Sequence, residues 1–150
     1  MREGGLYYRR SRFSTRLLTD RLYTPSHFWV REESPGLWLV GLTKFAARML
    51  GDVVDVSFDL APGAEVGLGD VVGSFEGFKA RSDLYAVVAG RYAGANQELD
   101  TDVDVIDRDR YGRGWLYAVE GRVDPEARDA QGYVALLDEV IDRMRGSGRR

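Results

Sequence analysis

Lys79 lies in the stretch GSFEGFKARSDLY, Gly73 to Tyr85, and is one of two lysines in a 150-residue chain with 21 basic side chains. Lysine is a flexible primary amine that can be acylated, whereas arginine is a fixed planar cation. A lysine kept among Gly77, Phe78 and Ala80, in a chain that otherwise uses arginine, points to amine chemistry there. The bland reading is an ordinary surface lysine, and the second lysine, Lys44, is its natural control.

Three other stretches invite chemistry and are weaker. ELDTDVDVIDRDRYG is acidic enough for Ca²⁺, but counting from Asp100 the sixth position is Val105 and the twelfth is Tyr111, where a calcium loop needs Gly and Glu. It reads as a solvated loop or strand face, with Arg108 and Arg110 offsetting part of its charge. Gly63, Gly67 and Gly69 are followed by neither Lys-Ser/Thr nor a helix start, so they read as turns rather than a phosphate cradle. His27, the sole histidine, adjoins Phe28 and Trp29 and reads as a hydrogen-bonded packing residue rather than a catalyst.

Composition narrows the classes further. There is no cysteine, which excludes disulfides, thiol nucleophiles and zinc–thiolate sites. One histidine excludes a multi-histidine metal centre. The net charge of −3 gives no electrostatic case for nucleic acid. No run of about 18 apolar residues is present, so no membrane-spanning helix is expected. With 44% hydrophobic and 30% charged residues, the chain can build a core under a solvated surface. The catalytic toolkit is nearly empty, which points to a carrier or binding module rather than an enzyme.

The elements that must position Lys79 follow from hydrophobic period. Residues 1–22 hold six arginines against Glu3 and Asp20 and read as a surface arm, partly helical near Thr15 to Leu22. No apolar stretch suits a secretory signal. The expected location is the cytoplasm, or the mitochondrial matrix if those residues were a transit peptide. From Tyr23, HFWVREE and LWLVGL read as a hairpin around Ser34-Pro35-Gly36. TKFAARMLGD is a helix of about two turns, capped by Thr43 and ended by Gly51. DVVDVSFDL alternates, with Val54, Val56 and Phe58 directed inward. VVGSFEG and DLYAVVAGRYAG are strands flanking Lys79, which falls at the tip of their hairpin. WLYAVEGRV is the last strand. Asp124-Pro125 reads as the start of a C-terminal helix whose stripe is Tyr133, Leu136, Leu137, Val140, Ile141 and Met144. Gly146 closes it, leaving a frayed tail at 147–150. The sum is a mainly β, α+β chain: a small sandwich with a helix alongside.

On YTPSHFWV, VGLTKFAARMLGDVVDVSF, PGAEVGLGDVVGSFEGFKARSDLY, AGRYAGANQEL and YGRGWLYAV, residues 23–146 resemble the H protein of the glycine cleavage system, a relative of biotinyl/lipoyl domains. The resemblance implies a barrel-sandwich hybrid of two small antiparallel sheets with lipoate in amide linkage on Lys79. It implies that Glu76 and Gly90, three before and eleven after the lysine, guide the lipoate ligase or lipoyl/octanoyl transferase. It implies docking of the arm or its cargo near Ser26, Phe28 and Asp83. It further implies a non-catalytic carrier taking an aminomethyl group from glycine decarboxylase to aminomethyltransferase, with dihydrolipoamide dehydrogenase reoxidising the arm. The chain departs from the family pattern at Phe28, where the family has glutamate, and at Gly77 and Phe78, where it has Ser and Val. Losing a carboxylate beside a cationic cargo removes a charge-assisted contact of about 1.5–3 kcal/mol. Two alternatives follow: a lipoylated carrier for another pathway, such as sulfur oxidation or lipoate relay, and an unmodified binding module of the same fold.

Overall fold

A computed structural model describes residues 4–148. Eleven strands and three α-helices follow one another among these residues: β1 (Gly5–Arg10), β2 (Phe13–Leu18), β3 (Leu22–Tyr23), β4 (Phe28–Ser34), β5 (Leu37–Leu42), α1 (Lys44–Leu50), β6 (Val53–Phe58), β7 (Glu65–Val66), β8 (Val71–Gly77), β9 (Arg81–Tyr85), β10 (Val88–Ala95), α2 (Val105–Arg108), β11 (Tyr117–Val123) and α3 (Ala130–Gly148). A six-stranded sheet has the order β3-β4-β5-β11-β10-β7, and a three-stranded sheet has the order β6-β8-β9. The paired strands are antiparallel. This is the expected mainly β barrel-sandwich.

The period-2 pattern decides which layer each side chain enters. In β4, Phe28 and Val30 join the core beneath the sheets with Val40, Leu42, Phe75 and Leu84. Trp29, between them, enters a second core with Tyr23, Leu39, Phe45, Tyr133 and Leu137. That second core exists because α3 lies outside the large sheet and lays Tyr133, Leu137 and Ile141 inward.

Residues 5–18 correct the expectation of a partly helical arm. They form the β1–β2 hairpin, paired from Gly5↔Leu18 to Arg10↔Phe13. Phe13, Thr15 and Leu17 alternate inward with Tyr8 and are buried, which fits a strand and not a helix. The hairpin is fastened to α3 by Tyr8 Oη, which donates to Asp138 at 2.8 Å, and by Arg10, which forks onto Asp142 at 2.9 Å through two nitrogens. Residues 1–3 of the expected arm lie outside the described residues.

Four further expectations change. Helix α3 starts at Ala130, not after Asp124, because Arg128 is held extended by paired backbone bonds to Tyr23 at 2.7 and 2.8 Å. Asp124 instead makes a turn, accepting from Glu126 N at 2.9 Å, and Asp129 caps the helix by accepting from Gly132 N at 2.9 Å. Gly146 does not end the helix, which continues to Gly148; residues 149–150 of the expected tail lie outside the described residues. In β6 a register shift between Val53 and Asp55 buries Val53 and turns Val54 outward. The acidic stretch is loop only in part: turns at 101–104 and 109–112 alternate with a 3₁₀ turn at Gln97–Asp100 and helix α2, which bury Leu99, Val105 and Ile106.

Candidate functional site

Lys79 is the middle residue of the three-residue connection between β8 and β9, where Glu76 pairs with Arg81 and Gly77 N donates to Ala80 O at 2.9 Å. What fixes this turn is the end of α1. Phe78 N donates to Asp52 O at 2.9 Å, Lys79 N to Leu50 O at 2.9 Å, and Ala80 N to the same carbonyl at 3.2 Å. The last turn of a helix leaves carbonyls without partners, and here the hairpin backbone supplies them.

Local sequence explains why α1 ends in the right place. The Thr43 side chain accepts from Ala46 N at 3.3 Å and starts the helix. Gly51 adopts φ +84°, the left-handed region favoured by glycine, and turns the chain into β6. Gly77 has a matching role in this chain: a Cβ built on it would lie 2.1 Å from Leu50 O, so glycine lets the hairpin close this tightly on the helix end, where the family's Ser requires a wider spacing. The Lys79 side chain is exposed, and its Nζ donates to Arg48 O at 3.2 Å. The expected hairpin-tip geometry is therefore present, on a turn braced at its backbone. Phe78 beside it is 84% exposed.

An apolar groove of about 440 Å³ is lined by Leu50, whose carbonyl holds this turn, and by Ser82, just after it on β9. Its walls come from β4 (Phe28), α1 (Ala46, Met49, Leu50), β9 (Leu84) and α3 (Met144). Ser26 and Asp83 line it as well, so the three residues expected to dock the arm or cargo share one cavity. Ser26 Oγ lies 2.9 Å from Thr24 Oγ1, which holds the loop leading into β4. Phe28 is buried and belongs to the core as much as to the groove.

Glu76 and Gly90 lie apart. Glu76 is exposed near the end of β8. Gly90 is in the other sheet, paired with Gly121 on one side and Val66 on the other. At φ +153°, a Cβ there would meet Glu120 O at 2.0 Å, so Gly90 has a packing reason of its own.

His27 lines the groove and is part of a network that sequence reasoning did not resolve. Its Nδ1 is 2.9 Å from Tyr133 Oη, Tyr133 Oη donates to Thr43 Oγ1 at 3.1 Å, and Thr43 Oγ1 donates to His27 O at 2.8 Å. Burial pushes the His27 pKa down to about 4, so the ring is neutral near pH 7. The network ties α3, α1 and the β4 approach together. The packing role expected for His27 is thus its geometry. Met49, Leu50 and Met144 were also missed as groove residues, because helical spacing marks an apolar face without saying what it faces. Among the described residues no group of three acidic or histidine side chains could hold a metal ion, and no helix is long and apolar enough to cross a membrane.

A barrel-sandwich that presents one lysine on a braced hairpin turn, beside an apolar groove, defines a carrier of the lipoyl-domain class. Comparison with known proteins makes the assignment particular. The family model for the glycine cleavage H-protein matches residues 21–137. The chain is 38% identical over 125 residues to the glycine cleavage system H protein of Shewanella sp. (strain ANA-3), covering 81% of this chain and 95% of that one. It is 41% identical over 118 residues to the same protein of Beutenbergia cavernae, covering 79% and 94%. The crystal structure of a glycine cleavage system H protein from Mycobacterium marinum superposes with a TM-score of 0.69 at 34% identity, over 78% of this chain and 95% of that one. The chain belongs to the glycine cleavage H-protein family, and its role is the family's, a lipoyl carrier in glycine cleavage.

Proposed function

We propose that Lys79 carries lipoate in amide linkage and that the groove beside it receives the arm and its aminomethyl cargo. The observation that carries this reading is the braced turn. An exposed amine stands on a backbone held by three hydrogen bonds to residues 50–52, next to an apolar cavity of about 440 Å³. An attaching enzyme needs an amine that is accessible and fixed in direction, and a long apolar arm needs a surface on which to rest. Both are side by side here, so the group fits. Bound at Lys79, lipoate would supply a dithiolane that accepts the aminomethyl group.

The chain's own residues then act on the arm without making or breaking bonds. Phe28, Met49, Leu50 and Met144 shield it from water. Asp83 and Ser26 offer the groove's oxygens to a cationic amine. Because Phe28 stands where the family has glutamate, Asp83 is the carboxylate left for that contact. Glu76 and Gly90 serve the lipoate ligase or lipoyl/octanoyl transferase that modifies Lys79. Tethering makes each delivery effectively intramolecular. The partners are glycine decarboxylase, aminomethyltransferase and dihydrolipoamide dehydrogenase, and the chain is their non-catalytic carrier. The relatives are named for glycine cleavage, which favours this pathway over sulfur oxidation, lipoate relay or an unmodified module.

The test is loading. Lipoylated protein incubated with glycine and glycine decarboxylase should gain the aminomethyl mass and pass it to aminomethyltransferase with tetrahydrofolate. A lipoylated protein that never gains that mass would sink the cargo assignment.

A further inference from the structure

The β1–β2 hairpin precedes the stretch matched by the family model, which begins at residue 21. Its outer face is basic. Arg9 and Arg16 are exposed, and their cross-strand partners are Ser14 and Tyr7, so all four share the face turned from the core. Arg12 stands at the turn. The basic surface continues onto α1: Lys44 Nζ donates to Ser14 O at 2.8 Å, and Arg48 Nη1 to Arg12 O at 3.5 Å. Arg48 O in turn accepts from Lys79 Nζ at 3.2 Å. The surface thus runs from the added hairpin to the lysine itself.

Arg9, Arg12, Arg16, Lys44 and Arg48 are all exposed, and none closes an ion pair with a described residue. The whole chain carries −3, so with these five cations set aside the remainder carries −3 − 5 = −8. A long polyanion or an anionic membrane would meet that acidic remainder. A local carboxylate cluster on a folded protein would meet only the basic face.

We propose that this face docks an acidic surface next to the arm entrance of an enzyme that acts on the Lys79 arm. The proposal rests on Lys79 bearing the arm and names the chemistry of its partner. Charges at the rim of an interface chiefly steer encounter and are screened by salt. The face therefore acts on how much carrier an enzyme needs, not on how fast the bound arm reacts.

The experiment uses the full lipoylated chain and the triple variant Arg9→Gln, Arg12→Gln, Arg16→Gln as substrates for glycine decarboxylase, aminomethyltransferase and dihydrolipoamide dehydrogenase in turn. With at least one enzyme, the variant should raise KM for the carrier by roughly tenfold while kcat changes less than about twofold. KM of the unaltered carrier with that enzyme should rise with KCl, and the variant should lose most of that dependence. An Arg→Lys triple should restore the unaltered KM. Equal KM values for carrier and variant with all three enzymes overturn the proposal. So does a KM of the unaltered carrier that ignores KCl, a measurement that stands even if the variant misfolds. Loss of oligonucleotide or anionic-vesicle binding in the variant, with KM unmoved, also overturns it and assigns the face to that other partner. Failure of the unaltered chain to become lipoylated is a separate result, and it refutes the arm on Lys79 instead.

Discussion

Replacing Gly77 by Ala tests whether the end of α1 really sets the lysine turn. The new Cβ would stand 2.1 Å from Leu50 O, 2.8 Å from Leu50 C and 3.0 Å from Gly51 O, and all three are backbone atoms that no rotamer change can move aside. Reaching an ordinary contact requires the hairpin and the helix end to separate by about 1 Å. Leu50 O is also the acceptor for Lys79 N and Ala80 N, at 2.9 and 3.2 Å, so that separation breaks both bonds. At a net ~0.5–1.5 kcal/mol each, Gly77→Ala should cost about 1–3 kcal/mol. For a chain of this length that lowers Tm by on the order of 5 °C. The same shift releases residue 79 from its fixed direction, so the initial rate of lipoylation should fall in parallel. The assays are thermal denaturation and the time course of the lipoyl mass increment. A variant that melts within about 1 °C of the unaltered protein and is lipoylated at the same rate would refute the reasoning.

Other substitutions follow from the same contacts. His27 has its folded pKa lowered to about 4 by burial, against an ordinary value of 6.5. Its contribution is therefore complete above pH 6.5 and is lost as pH falls toward 4. Over that window the group should remove up to about 3 kcal/mol of stability. His27→Asn, whose residue type tolerates the observed φ of +74°, should flatten that part of a urea-stability profile against pH. Phe13→Ala empties a buried site packed edge-on against Phe45 at 5.4 Å and should cost about 3 kcal/mol in urea denaturation, showing that the hairpin is integral to the domain; an unaltered midpoint would show it only rests on the surface. Phe28→Glu puts a carboxylate at a position 7% exposed among Val30, Leu42 and Phe75. It should cost about 2 kcal/mol or more at pH 7, with part recovered on acidification as the carboxyl protonates. A stable variant with no pH dependence would mean that the side chain turns out into the groove.

The parts of this molecule legible in the sequence are those whose signals are local. Thr43 and Gly51 bound α1, Ser34-Pro35-Gly36 makes the β4–β5 turn, and the strands around Lys79 place it at a hairpin tip. The β1–β2 hairpin was obscured by its arginines, which crowd the outer face and mask the Phe13, Thr15, Leu17 alternation beneath. The start of α3 was misplaced because the bridge that keeps Arg128 extended comes from Tyr23, over a hundred residues away. The groove shows the same limit. Ser26, Phe28 and Asp83 were named through family resemblance, but Met49, Leu50 and Met144 meet them only after α1, β9 and α3 are packed. Gly77 is visible as a departure from the family pattern, while its reason, the Leu50 carbonyl, is brought to it only by the packing of α1 on the hairpin.

The carrier role rests above all on Lys79, and intact mass tests that residue directly. The unaltered chain, Lys44→Arg and Lys79→Arg would each be incubated with lipoate, ATP and a lipoate ligase. Lys44 lies on helix α1 and not on the hairpin turn that presents Lys79, so the unaltered chain and Lys44→Arg should each gain a single lipoyl increment while Lys79→Arg gains none. An increment that persists in Lys79→Arg, or that never appears in the unaltered chain, would contradict it.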